Sequence, residues 1–291
     1  MKSERELYNT DGTFRKDITL EEIRSLKTEH GELIGVNYSR GGGMLGDSTH
    51  IRLYRNKEQK PEIETGFSGQ HNWPLVIKVY DAEEEVFPAM TELIDRDNLT
   101  VWENLPRSEE EVMDAPSTTI SLYFEEEAGE KRKRKSCSIE DWRVVPEGGR
   151  EVMRRFIAAL AAAAQPERMR EAYFVIDGES YKMGESSDCP DETIMDLLQG
   201  CWETGPDESR RMRFYGPESE AKLVFSEETD GTYVDHPYTL VQIEHHAWNS
   251  SPCGWHIRLE DEAGNEKILY IEGVSLVLSD GETKSVLDRF S

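Results

Sequence analysis

The stretch Leu197-Leu198-Gln199-Gly200-Cys201-Trp202-Glu203 separates two kinds of pattern in this chain. A short apolar helical turn runs into Gly-x-Trp. After it come short alternating segments at 200–203, 211–215, 222–226, 232–235, 238–247, 254–261, 266–271, 274–278 and 284–290. Turn signals fall between them: Gly216-Pro217, Asp230-Gly231, residues 249–254, Ala263-Gly264-Asn265 and Asp280-Gly281. Eight or nine short strands with hairpin spacing predict an all-β sandwich or closed barrel.

The part before this stretch mixes helix and strand signals. Thr19 precedes an apolar turn with Glu22 three residues on, the spacing of a capping box. Strands are predicted at 33–39 and 50–55 around a Gly-rich loop, and at 74–80. No Lys follows that loop and no helix opens after it, so it lacks the amide cradle of a phosphate site. Val86, Phe87, Met90, Leu93 and Ile94 make one stripe of a helix over 84–95. Pro88 fits only its first turn, and Glu83, Glu84 and Glu85 suit the positive end of its dipole. Residues 99–102 read as extended. Segments 117–124 and 133–139 form a hairpin in which Glu125, Glu126, Glu127 and Glu130 face the basic run Lys131 to Lys135. The longest apolar helix spans 151–164, marked by Gly148-Gly149 before it and Pro166 after it. Residues 173–181 form a hairpin with an Asp-Gly turn, and 184–192 read as a polar linker.

At 291 residues the length suits two domains. The predicted architecture is therefore α+β: an N-terminal antiparallel sheet with two main helices over 1–185, then a small antiparallel β-barrel over 186–291. The net charge of −25 would repel nucleic acid and anionic membranes. It also leaves open an acidic protein that covers a basic partner. No window approaches 18 apolar residues, and the N-terminus has no apolar leader, which predicts a cytoplasmic protein. Cys137, Cys189, Cys201 and Cys253 form no CxxC and read as reduced thiols.

The residues of the second half carry a resemblance. Gly200-x-Trp202, following the turn 194–198, looks like the entry to the first strand of the lipocalin-like, or calycin, barrels. Those domains place an Arg of the last strand over that Trp, and Arg289 matches its place. The resemblance covers about 194–291 and implies an up-and-down barrel with Trp202 and Arg289 closing one end. A cation over an indole face is a sound plug.

Chemistry-bearing clusters are few. In the run from His245 to His256, a hairpin loop at 249–252 would set His245 beside His256, giving two candidate zinc ligands. Surface or cross-strand pairing of these histidines is the plainer reading. No nucleophile elbow surrounds any Ser, and no cofactor motif is present. The leading expectation is a non-catalytic binding protein. Its barrel, or the groove between its domains, would take a small apolar ligand or peptide against Trp202, Phe214, Phe225, Tyr238 and Trp255, although core packing is the plainer reading of each ring taken singly. An acidic interaction or immunity-type protein is the alternative, and a hydrolase or metal enzyme the third.

Overall fold

The computed structural model describes residues 7–11, 15, 17–26, 28–41, 48–68, 75–106, 117–128, 131–141, 143–176, 178–182, 189–198, 200–204, 210–215, 222–229, 232–246, 254–272, 275–279 and 284–290. The chain forms two compact units, one of residues 1–44, 48–66 and 78–170 and one of residues 45–47, 67–77 and 171–291. The second unit thus extends beyond residues 186–291. Val76, Ala172, Phe174 and Ile176 belong to its buried core, and that shared burial draws their segments into it.

The first unit begins with α1 (Leu20–Ser25). Its capping box is complete: the Glu22 amide donates to Thr19 Oγ1, and Glu22 Oε2 accepts from the Thr19 amide at 2.9 Å. Strands β1 (Glu32–Gly41), β2 (Ser48–Arg55), β3 (Pro61–Ser68), β4 (Leu75–Asp81), β5 (Ser117–Ala128) and β6 (Lys131–Glu140) lie in the order β6-β5-β1-β2-β3-β4. β1 pairs antiparallel with β2 and β5, and β5 with β6. One face carries Val36, Tyr38, Ile51, Leu53, Ile120, Leu122 and Ile139 into the core. Helices α2 (Val86–Asp97) and α3 (Gly149–Ala162) supply Phe87, Met90 and Ile94, and Val152, Phe156 and Leu160, to the same cluster. Each such side chain, once buried, contributes roughly 1.5–3 kcal/mol.

α2 ends where Asn98 takes a left-handed conformation, φ 49°. Its Nδ2 donates to the carbonyls of Ile23 and Leu26, tying α1 to α2. Residues 99–102, expected to be extended, instead form the 3-10 helix Leu99–Asn104. The Val101 amide bonds the Asn98 carbonyl and the Trp102 indole N–H bonds the Asp97 carbonyl, so the turn is held at both ends. At the β5–β6 hairpin, Arg132 pairs with Glu125 at 2.8 Å and Lys135 with Glu126 at 2.6 Å, so part of the basic run is paired across the ladder. β1 bulges between Leu33 and Gly35. Just ahead of it the chain passes so close to β5 that a Cβ on Gly31 would sit 2.1 Å from the Glu125 carbonyl oxygen.

The second unit carries β7 (Met169–Ile176), whose residues from 171 onward belong to it, and β8 (Glu179–Lys182), antiparallel neighbours. Helix α4 (Asp191–Leu198) occupies the end of the segment expected to be linker. Eight strands follow: β9 (Gly200–Thr204), β10 (Arg210–Tyr215), β11 (Lys222–Thr229), β12 (Thr232–His246), β13 (Gly254–Asp261), β14 (Glu266–Glu272), β15 (Ser275–Ser279) and β16 (Lys284–Phe290). Each pairs antiparallel with the next, and β16 pairs with β9, so the ladder returns to its start as a closed barrel. The segments 232–235 and 238–247, expected as two strands, are one strand running through Pro237. It pairs with β11 along its first half and with β13 along its second, which keeps both halves extended. Among the described residues, no helix is long and apolar enough to cross a membrane.

Candidate functional site

Residues directly opposite one another on neighbouring strands share a face of the sheet. Trp202 stands opposite Met212, Met212 opposite Phe225, Phe214 opposite Leu223, and Leu223 opposite Tyr238. Further round, Leu240 faces Leu259, two alternations from Trp255, and Trp255 faces Ile271. Positions 202, 214, 225, 238 and 255 therefore lie on one face of the barrel wall. That face is interior: Trp202, Tyr238, Trp255, Ile257, Leu259, Leu269 and Ile271 are buried. The alternate positions Arg258, Glu260 and Tyr270 are partly exposed.

One end of the barrel is built around the stretch that opens it. The Trp202 indole N–H donates to the Leu198 carbonyl at 2.9 Å, so the last residue of α4 is pinned to the first barrel strand. Ile194, Leu197 and Leu198 of α4 join Trp202, Trp255, Ile271 and Phe174 in one buried cluster. The Phe174 and Trp255 rings lie 4.4 Å apart at 55°. Arg289 is the direct register partner of Trp202 across β16 and β9. Lys267 Nζ stands 5.7 Å from the centroid of the Tyr238 ring.

The proposed histidine pair is not formed. Pairing of β12 and β13 ends at His246 opposite Gly254, with residues 247–253 between them. This register is one residue away from that of a 249–252 loop. It sets His245 opposite Trp255, and His256 opposite Glu244. Since a one-residue slip moves a side chain to the other face, His245 and His256 stand on opposite faces. The His256 ring instead meets the edge of Tyr270 at 4.4 Å. Among the described residues no three His, Cys, Asp or Glu side chains converge as a metal site. The loop residues Trp248 and Cys253 lie outside the described residues.

Three polar clusters in the first unit carried no sequence signal. Asp97 is 2% exposed and accepts from Arg24 at 2.5 Å and Arg96 at 3.0 Å, with Arg155 at 3.8 Å. Burial pushes its carboxyl up, but the Arg24 and Arg96 bonds outweigh burial and hold it below its ordinary range. Glu62 is likewise buried and held low by Arg170, Asn56 and Tyr54, while burial and Glu62 push the Tyr54 hydroxyl up. The third cluster joins His50 Nε2 and Arg52 to Glu64 Oε1 at 3.1 and 3.0 Å. Hydrogen bonding from His50 holds Glu64 low. Gly66 leaves the space that the His50 ring fills, since a Cβ there would overlap it at 2.0 Å. The Asp97 and Glu62 clusters join elements distant in sequence, and the third joins the neighbouring strands β2 and β3 across their ladder. Comparison of the chain with protein-family models, with curated proteins and with solved structures returned no match.

Proposed function

We propose that the protein is a non-catalytic binding protein whose second unit is a lipocalin-like barrel that takes a small apolar ligand in its interior. The observation that carries this is the register: five aromatic positions, 202, 214, 225, 238 and 255, come to one interior face from five different strands. Aromatic and aliphatic walls with few polar groups suit an apolar guest. The lipocalin-like assignment draws support from Gly200-Cys201-Trp202 at the head of the first barrel strand and from Arg289 opposite Trp202 on the last.

Fluorescence titration with N-phenyl-1-naphthylamine tests the reading. Wild type should give a saturable, one-to-one rise in emission. Leu269→Trp and Ile271→Phe, which add volume to the interior wall, should each abolish it while circular dichroism remains that of a β-rich fold. The absence of saturable binding, or equal binding by a well-folded filled variant, would remove the proposal.

A further inference from the structure

The first unit holds a groove whose charge runs against that of the chain. It lies where α3 crosses the ends of β1 and β5 and has a volume of about 580 Å3. Its charged residues are Arg40, Arg150, Arg154 and Asp141. Three guanidinium groups against one carboxylate leave a local charge of +2, in a protein with 34 Lys and Arg against 59 Asp and Glu. Arg150 and Arg154 are four residues apart on α3, where like charges repel. Among the described residues Arg40 and Arg150 have no ion pair. Arg154 meets Glu151 at 2.9 Å, outside the groove lining. The Asp141 carboxylate stays in the groove, where its Oδ2 accepts the amide of Thr118, another lining residue, at 2.9 Å.

Apart from the Thr118 and Tyr38 hydroxyls, the rest of the lining is apolar. Val145, Met153 and Ile157 form the floor beside the Tyr38 ring. Burial pushes the Tyr38 hydroxyl up from its ordinary value, so it stays a neutral donor. Guanidinium groups are planar forks matched to oxyanions, and an acidic surface elsewhere leaves this groove as a local attractor. The volume falls in the range of small-ligand sites, roughly 300–1,000 Å3.

We propose that this groove binds a small phosphate monoester. Its dianionic head sits among Arg40, Arg150 and Arg154, and its compact apolar body rests on Val145, Met153 and Ile157. The site belongs wholly to the first unit and is independent of the barrel reading.

Isothermal titration calorimetry of the full chain with phenyl phosphate tests it. Wild type should bind one equivalent, more tightly than it binds inorganic phosphate, which lacks the body, or benzoate, which lacks the second charge. Arg40→Gln and Arg150→Gln should each weaken phenyl phosphate by about tenfold or more, the loss of one charge-assisted contact. Both side chains are exposed, so neither variant should disturb folding. Arg132→Gln, an exposed arginine on the β6 hairpin outside the groove, should bind as wild type does. No saturable heat at millimolar phenyl phosphate, or the same loss in Arg132→Gln as in Arg40→Gln, would overturn the site. Inorganic phosphate or benzoate binding as tightly as phenyl phosphate would overturn its assignment to a monoester.

Discussion

Replacing Asp97 by Asn tests what holds the two sides of the first unit's helical layer together. The carboxylate is 2% exposed and is reached by Arg24 from α1, Arg96 from α2 and Arg155 from α3. Asparagine preserves the shape, removes the charge and turns one acceptor oxygen into a donor that faces a guanidinium. Deleting one partner of a buried ion pair costs roughly 3–5 kcal/mol when the other stays dry. Here the three arginines are 37%, 48% and 49% exposed and regain water, so the loss falls to about 2–3 kcal/mol. Urea unfolding followed through tryptophan emission reads this, because buried Trp102 donates to the Asp97 carbonyl. The pH dependence gives a second reading. The Asp97 carboxyl is held below its unfolded value, so its stabilisation is complete above about pH 4 and fades as pH falls through the lower folded value. The gap between wild type and Asp97→Asn should close over that acid window. A gap under about 0.5 kcal/mol at pH 7, where surface substitutions commonly fall, or one that persists unchanged into acid, would refute the argument.

Two further outcomes follow from the close contacts. Gly31→Ala should destabilise the β1–β5 edge by about 2 kcal/mol, since its Cβ meets backbone that must move; hydrogen exchange should show faster amides at Leu33 and Phe124. Cys137 is buried, and burial pushes its thiol up to about 12, so native protein at pH 8 should leave it unalkylated by iodoacetamide while urea-unfolded protein is modified, as peptide mass mapping would show.

What was legible in the sequence were features in which neighbours along the chain do the work. Thr19 and Glu22 cap α1 within one turn. The stripe from Val86 to Ile94 marks α2, and Glu125 to Lys135 carries its own charge register. β3 carries no clear strand signal because Ile63 faces the core while Glu62 and Gly66, buried on the opposite face, read as polar and flexible. They are buried only because Arg170 and the His50 ring come to them from elsewhere. In the candidate site, the sequence offers five aromatics on predicted strands, and only the register brings their positions to one face. The His245 and His256 pairing failed because it rested on a loop length, and one residue of register exchanges the faces. The basic groove of Arg40, Arg150 and Arg154 joins a strand end to a helix more than a hundred residues later, a distance no spacing rule spans.

The closing ladder between β9 and β16 has a kinetic consequence. It joins the first and last strands of the barrel, whereas every other pairing in the ring joins sequence neighbours. Hairpins from β10 to β15 can form with short loops, but the seam waits on the whole segment, so closure comes late and slowly. Until then β9 and β16 each present an unpaired edge, open to a strand of another molecule. A chain losing β16 would carry that exposure permanently at β9 and β15, and its failure would be self-association at the seam rather than loss of the hairpins.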